Sequence, residues 1–227
     1  MERSPVLPEP VSALAGRLGA RHSPGARAHF RQSGTLRNIG QAKWMRFTAR
    51  QWLASDAPCF RWRARVGPLG AVHVEDALID GRPVGRASAL GLVTLERAEP
   101  SPELLQGELQ RYLAELMWNP DALLSNSGLC WEVRGADELA VTARLDGVAG
   151  SVTIHLGADG LPERTHALRP AREDGGYRLR DWHGVFADYR EVAGRMIPHS
   201  GRVAWQWEGE RFEVWRGTIE GWHSEGG

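Results

Sequence analysis

The last quarter of the chain constrains the fold more than any other stretch. Five of the ten tryptophans lie between residues 181 and 222, in segments of alternating apolar and polar residues separated by glycine turns. Alternation of this kind puts successive side chains on opposite faces of a β-strand. The pattern therefore predicts an antiparallel meander whose apolar face carries unusually large side chains.

Turn signals give the predicted register of the last hairpin. We predict a two-residue turn at Gly209-Glu210, which pairs Trp207 with Phe212 and Trp205 with Val214. Further turns are expected at Asp146-Gly147, Asp159-Gly160 and Asp174-Gly175. Strands are predicted, among others, at 84–95, 177–186 and 188–192.

An earlier strand, Phe60–Val66, combines tryptophan and arginine. Alternation puts Trp62 on one face and Arg61, Arg63 and Arg65 on the other. A three-residue loop before the next strand would set Arg61 opposite Glu75. The arginine stripe has two interpretations: a solvated face balanced by nearby acids, or a guanidinium cluster for a phosphate or carboxylate head group.

One long helix is predicted over residues 102–118. Ser101 is a suitable N-cap, and Pro102 occupies the first helical position. Leucines and Tyr112 recur at helical spacing and predict the buried face. Three charged residues are expected on the outer side: Glu108, Arg111 and Glu115. Short helices are also predicted in an N-terminal arm (1–24) and at 49–53.

Together these elements predict an α+β fold for residues 1–227 as a single domain. About ten strands would form a large curved antiparallel sheet, a half-barrel spanning 25–227, with the long helix inserted mid-chain. Composition supports a globular chain, with 42% hydrophobic and 25% charged residues.

Charge and hydropathy exclude several functions. Twenty-eight bases balance 28 acids, whereas a general nucleic-acid surface shows a basic excess. The sequence contains no run of about 20 apolar residues that would predict a transmembrane segment, and the N-terminus lacks an export-signal pattern. We therefore expect a cytoplasmic protein that does not bind nucleic acid. Cys59 and Cys130 are interpreted as free buried thiols, with a disulfide left open.

Catalytic motifs are scarce. The histidines show no HxH, HxxxH or HExxH spacing, and no G-x-S-x-G elbow or phosphate-binding loop is present. We expect no cofactor and no metal site. The best acid–base arrangement is Asp181 with His183 on one strand face, with Asp188 nearby. A polar strand end explains the same residues.

Five segments carry a resemblance to a known family: residues 107–124 (GELQRYLAELMWNPDALL), 186–205 (FADYREVAGRMIPHSGRVAW), 7–11, 60–67 and 212–220. They resemble an uncharacterised bacterial domain family of unknown function, in order along nearly the whole chain. The layout is similar to the lipoprotein-carrier half-barrels of bacterial envelopes, in which an acyl chain can lie between a curved sheet and its helices. The resemblance implies that fold and leaves the activity open.

Two functions follow as hypotheses. The first is a non-catalytic binding protein for a hydrophobic or anionic amphiphilic small molecule, held between the sheet and the long helix. Its candidate ligand-binding residues are Arg61, Trp62, Arg63, Tyr112, Trp182, Phe186, Tyr189, Trp205, Trp215 and Arg216. The second is a cofactor-independent isomerase or hydrolase that uses the Asp/His pair in the same cavity.

Overall fold

The computed structural model describes residues 7–90, 93–173 and 176–226. Its strands are β1 Arg27–Leu36, β2 Met45–Ala54, β3 Phe60–Val66, β4 Val72–Ile79, β5 Arg82–Ala89, β6 Val93–Arg97, β7 Cys130–Val133, β8 Glu138–Leu145, β9 Val148–Leu156, β10 Pro162–Glu173, β11 Gly176–Val192, β12 Arg195–Trp207 and β13 Glu210–Glu225. The helices are α1 Glu9–Arg17, α2 Pro102–Ala114 and α3 Ala122–Ser125, and a 3-10 turn, Glu115–Trp118, extends α2.

All the described strands form one antiparallel sheet in the order β6-β5-β4-β3-β2-β1-β13-β12-β11-β10-β9-β8-β7. The predicted curved half-barrel is confirmed, with thirteen strands rather than about ten. The first strand, β1, lies in the middle of the sheet, and the last strand, β13, returns to pair with it. The long helix connects the two edge strands, β6 and β7, across the concave side.

Helix α2 forms where the sequence predicts it. The Ser101 hydroxyl accepts a hydrogen bond from the Leu104 amide at 3.1 Å, so it caps the first turn. The apolar stripe, including Leu109 and Leu113, is fully buried and packs mainly against β9 and β10. Residues on the opposite side of the helix are also largely buried, because both arms of the sheet pack around it.

The short helix predicted at 49–53 is wrong. This stretch lies within β2, where Phe47, Ala49, Gln51 and Leu53 alternate as buried residues with more exposed ones. The period-two alternation, supported by pairing to β1 and β3, outweighs the local helix signal. Within the arm at 1–24, α1 confirms the other predicted short helix.

Both predicted hairpin registers need correction. Arg63, not Arg61, lies opposite Glu75, because the β3–β4 connection has five residues (67–71) that include a 3-10 turn with Leu69 at φ 56°. The two-residue difference leaves every side chain on its predicted face. The last hairpin pairs Trp205 with Phe212. Glu208 and Gly209 form its turn, both at positive φ.

Two strand boundaries also differ from the sequence-based ones. The segments predicted at 177–186 and 188–192 form the single strand β11, in which Asp188 has a left-handed φ of 56°. The strand predicted at 84–95 corresponds to β5 and β6, with residues 91–92 outside the described part. The turn expected at Asp174-Gly175 also lies outside the described residues.

Candidate functional site: the cavity between the sheet and helix α2

A cavity of about 380 Å³ lies between the concave face of the sheet and the C-terminal half of α2. This volume is at the lower end of the range of small-molecule sites, about 300–1,000 Å³. Aromatic side chains form much of its wall: Trp62, Trp118, Trp182, Phe186, Trp205 and Trp215. They come from strands β3, β11, β12 and β13 and from the end of the helix.

The aromatic wall is held in a fixed arrangement. Trp118 donates its indole N–H to the Pro198 carbonyl at 2.9 Å. It packs edge-on against Phe186, with ring centroids 5.3 Å apart, and against Trp215 at 6.2 Å. Gly201 permits this packing, since a Cβ there would lie 3.1 Å from Trp215 and 3.2 Å from Trp118. The wall is therefore shaped before any ligand arrives.

A line of buried amides crosses the cavity floor. Trp62 donates to Gln32 at 2.8 Å, and Gln32 donates to Gln51 at 3.2 Å. Gln51 in turn donates to the Glu115 carboxylate on the helix. These bonds tie the floor, made by β1, β2 and β3, to the helix that covers it.

Arg111 completes this network at the end of the cavity. It binds Glu115 at 3.0 Å and Asp76 of β4 at 2.7 Å. Its guanidinium lies over the rings of Phe60 and Trp62, with centroid distances of 5.3 and 5.2 Å. The nearby carboxylates hold the pKa of Arg111 above its ordinary value despite burial. The predicted outer position of Arg111 and Glu115 is wrong, because the sheet wraps around this side of the helix.

Glu108, also expected on the outer side, is only 6% exposed. Its Oε2 atom is buried without a hydrogen-bond partner. Burial, reinforced by repulsion from Asp76, raises the pKa of this carboxyl to about 8, against the opposing effects of Arg169 and Arg111. Glu108 is therefore mainly protonated at neutral pH.

Arg169 enters the cavity from β10. Its guanidinium lies 5.3 Å from the ring centroid of Trp182 and 5.7 Å from that of Trp205. The Nε atom is buried and has no hydrogen-bond partner. Burial lowers the pKa of this guanidinium, and Glu108 partly offsets that effect.

Of the predicted ligand-binding residues, Trp62, Trp182, Phe186, Trp205 and Trp215 line the cavity. The structure thus brings together aromatic residues that the sequence placed on separate strands. The predicted arginines and tyrosines lie elsewhere.

Arg61 and Arg63 lie on the opposite, outer face of the sheet. Glu75, which is itself buried, lies 3.1 Å from each of them and also pairs with Arg86. Hydrogen bonds from Arg63 and Arg86 lower the pKa of Glu75 against the desolvation that raises it. This cluster of arginines around Glu75 belongs to a longer row of charged residues across the sheet. The successive cross-strand partners in the row are Arg31, Arg50, Arg63, Glu75, Arg86 and Arg97.

Tyr112, Tyr189 and Arg216 also lie outside the cavity. The Tyr112 hydroxyl donates to the Ala54 carbonyl at 3.0 Å, and the Asn126 amide donates to that hydroxyl at 3.1 Å. Tyr189 donates to the Pro162 carbonyl at 2.7 Å. Burial raises the pKa of both tyrosines. Arg216 is exposed, pairs with Glu213 and lies 4.6 Å from the ring centroid of Trp44.

The candidate acid–base residues lie on the outer face too. Asp181 contacts His166 at 2.7 Å, and His183 stacks on His166 with ring centroids 5.0 Å apart. Burial, followed by Arg211, lowers the pKa of His183. Asp188 is exposed and binds Arg190 at 2.6 Å. None of the three predicted catalytic residues lines the cavity, as far as the described residues show.

Another titratable group was not visible in the sequence. His29 on β1 and His223 on β13 are cross-strand partners with stacked rings, and Glu225 lies 3.1 Å from His29. Two imidazoles and a carboxylate are a possible metal-ligand set. Their positions almost 200 residues apart hide the cluster until β1 and β13 are paired.

Both cysteines are free, as interpreted from the sequence, but the predicted burial is wrong, because Cys59 is only half-buried and Cys130 is exposed. Burial raises the pKa of Cys59, which makes it a poor nucleophile.

Sequence comparison assigns the family. The chain matches "Family of unknown function (DUF6920)" over residues 6–222. It belongs to that family. No curated protein matches the chain.

Solved structures share the fold of this DUF6920 family member at low sequence identity. A LolA superfamily protein from Nitrosomonas europaea is 11% identical with a TM-score of 0.54, and the match covers 93% of this chain and 92% of that one. A putative outer membrane lipoprotein-sorting protein domain from Vibrio parahaemolyticus is 10% identical with a TM-score of 0.52, covering 96% and 92%. A DUF1329 family protein from Desulfovibrio piger is 12% identical with a TM-score of 0.51, covering 95% and 93%.

These similarities confirm the half-barrel of the lipoprotein-carrier type. They also contradict the cytoplasmic location expected from the N-terminal sequence, because the neighbour from Vibrio parahaemolyticus is described as a putative outer membrane lipoprotein-sorting protein domain. In the described part of the chain, no helix combines the length and hydropathy needed to cross a bilayer.

Proposed function

We propose that this chain is a non-catalytic carrier or binding protein for an apolar or amphiphilic small molecule. The ligand would occupy the cavity between the sheet and α2. The observation that carries the proposal is a preformed, aromatic-walled space of about 380 Å³ beneath the long helix. Two structural neighbours, a LolA superfamily protein and a putative outer membrane lipoprotein-sorting protein domain, support a hydrophobic cargo.

Two further points belong to the proposal. We place the protein near a membrane in the cell envelope, on the strength of the neighbour titled as an outer membrane lipoprotein-sorting domain. Residues 1–227 would act as one domain, since one continuous sheet connects all the described strands.

The alternative of an enzyme with an Asp/His pair loses its basis in this geometry. Asp181 and His183 flank Trp182 on β11, so they point away from the cavity that Trp182 lines. Nothing in their contacts with His166 provides an enclosed substrate site.

The cavity can be tested by filling it. Val203 lines the cavity on β12, and a Val203→Trp side chain would occupy much of the ligand's space. Val133 on β7 is exposed, so Val133→Trp is the matched control. Ligand binding would be followed by native mass spectrometry of the purified protein and by tryptophan fluorescence with added dodecanol.

Five indoles line the cavity and should report occupancy. We expect the control to bind dodecanol as the wild type does, and Val203→Trp to bind at least about tenfold more weakly. Equal binding by both variants would place the ligand elsewhere. If no apolar probe binds the wild-type protein, the carrier proposal fails.

A further inference from the structure

Arg169 brings a positive charge to the cavity wall without a direct counter-ion. Among residues 7–90, 93–173 and 176–226, no carboxylate oxygen lies within 4.0 Å of its guanidinium. Two other enclosed arginines differ in this respect: Arg111 has Asp76 at 2.7 Å and Arg195 has Asp121 at 2.6 Å. Arg111 and Arg195 are thus paired with carboxylates, whereas Arg169 faces the cavity without one.

The surroundings of Arg169 fix its position but do not satisfy it. The rings of Trp182 and Trp205 hold the guanidinium in place, yet they accept no N–H···O bond from it. Its Nε donor is buried and has no acceptor. Arg169 as a whole is half-buried, but its Nε donor is buried without an acceptor, which is unfavourable, so an acceptor with negative charge would bind there strongly.

Glu108, the acid with the largest electrostatic effect on Arg169, does not serve as that acceptor at neutral pH. Glu108 lies close enough to influence Arg169, but no direct ion pair forms between them in the described structure. The charged groups facing Glu108 are Asp76 from β4, Arg169 from β10, and Arg111 and Glu115 from its own helix. Burial and Asp76 keep Glu108 protonated at neutral pH, and the charge of Arg169 remains available.

We propose that Arg169 binds the acidic head group of the cargo, which makes the ligand a single-chain amphiphile ending in a carboxylate or phosphate. The inference rests on the proposed carrier function and specifies its ligand. The planar guanidinium matches the two oxygens of either head group. The aromatic wall around Trp118, Phe186 and Trp215 takes the apolar chain, and the volume of about 380 Å³ suits one chain better than several.

The same geometry makes binding depend on pH. As Glu108 ionises above neutral pH, it supplies a carboxylate beside Arg169 and competes with the head group. Affinity for an acidic amphiphile therefore falls between about pH 7 and 9, and affinity for a neutral one does not. Glu108→Gln removes this difference.

Three probes that share one chain length distinguish the contribution of the head group to affinity from that of the alkyl chain: dodecanoic acid, dodecyl phosphate and dodecanol. Each is titrated into the full-length protein at neutral pH, and tryptophan fluorescence reports binding. In the wild type we expect at least one acid to bind about tenfold or more tightly than the alcohol. In Arg169→Gln the acids lose about tenfold to hundredfold in affinity, because a charge-assisted hydrogen bond is gone.

Controls distinguish a head-group contact from a general packing role. Arg169→Gln should bind dodecanol within about twofold of the wild type, and Arg169→Lys should recover part of the acid affinity. Arg164, on the same strand but exposed, provides the matched control Arg164→Gln, which should bind all the probes normally.

The outcomes separate the two proposals. If wild type binds acids and alcohol equally, or if Arg169→Gln binds acids unchanged, the head-group assignment is overturned while the carrier function stands. Loss of acid and alcohol binding together in Arg169→Gln also overturns it, because the residue then acts through packing. If no probe binds the wild type, both proposals fail. Preference for one acid over the other identifies which head group the site takes.

Discussion

Replacing Glu108 by glutamine should remove the loss of stability that ionisation of this group causes between about pH 5 and 8. In the folded protein, burial raises the pKa of Glu108 to about 8 from an ordinary value of 4.5. Between these values the folded state keeps a proton that the unfolded chain releases. Stability therefore falls as pH rises from the ordinary pKa of the group to its folded pKa, and it levels off above that value.

The size of the effect follows from linkage. One group that is protonated when folded and ionised when unfolded changes the free energy of unfolding by about 1.4 kcal/mol per pH unit. From pH 5.5 to 7.5, wild type should lose about 2–3 kcal/mol relative to Glu108→Gln. Glutamine has nearly the same shape but cannot ionise, so it does not share this loss.

Denaturant unfolding at pH 5.5, 6.5 and 7.5, followed by tryptophan fluorescence, measures the effect in both proteins. The difference between the two curves is the informative quantity. His29 and His183, whose pKa values are lowered by burial, gain folding stability as pH rises toward 6.5. They do so in both proteins and cancel in the difference.

An exposed glutamate on the same helix gives the control. Glu103→Gln makes the same chemical change at an exposed position of the helix, so it controls for the effect of the substitution itself. Parallel stability curves for wild type and Glu108→Gln would refute the reasoning. They would mean that Glu108 is ionised in the folded protein and that Arg169 already has its counter-ion.

Three further substitutions test how the scaffold is held. Glu75→Gln should lower the free energy of unfolding by about 1–3 kcal/mol, since arginines around it lose a shared carboxylate, and the loss should shrink in high salt. Asp121→Asn should cost about 3–5 kcal/mol by leaving Arg195 buried without its carboxylate, as measured by urea unfolding. Tyr112→Phe should cost about 1–3 kcal/mol in the same measurement, because the Asn126 amide loses its buried acceptor.

These three predictions fail in different ways. A Glu75→Gln protein as stable as wild type would mean that the outer arginines are fully solvated. An unchanged Asp121→Asn protein would show that the buried ion pair contributes no more than a neutral hydrogen bond. An unaffected Tyr112→Phe protein would imply that water replaces the hydroxyl.

The sequence predicted the elements better than their partners. Alternation located Phe60–Val66 with its two faces, and the cap at Ser101 located the start of α2, because both signals are local. The turn at Glu208-Gly209 was displaced because a glutamate at positive φ is uncommon and leaves no compositional mark.

The candidate site was half predictable for the same reason. Trp182, Trp205 and Trp215 could be recognised as inward-facing rings from the strand period alone. Arg169 and Glu108 could not, since a charged residue on a strand or helix normally faces water. Their burial depends on the two arms of the sheet closing around α2, which involves residues far apart in sequence. The available signal was the position of Glu108 at the edge of the apolar stripe, three residues after Leu105 and four before Tyr112.

The placement of β1 beside β13 has a consequence for how the chain assembles. Strands β1 to β6 form a run of neighbouring hairpins, and so do β7 to β13. Each run can pair locally, whereas the β1–β13 seam joins Arg27 to Glu225 across nearly the whole chain. Long loop closure makes such a seam the slow step of folding. A circular permutant that joins the segment after β13 to the segment before β1, and opens the chain at an edge loop, would make the β1–β13 seam a contact between neighbouring parts of the chain.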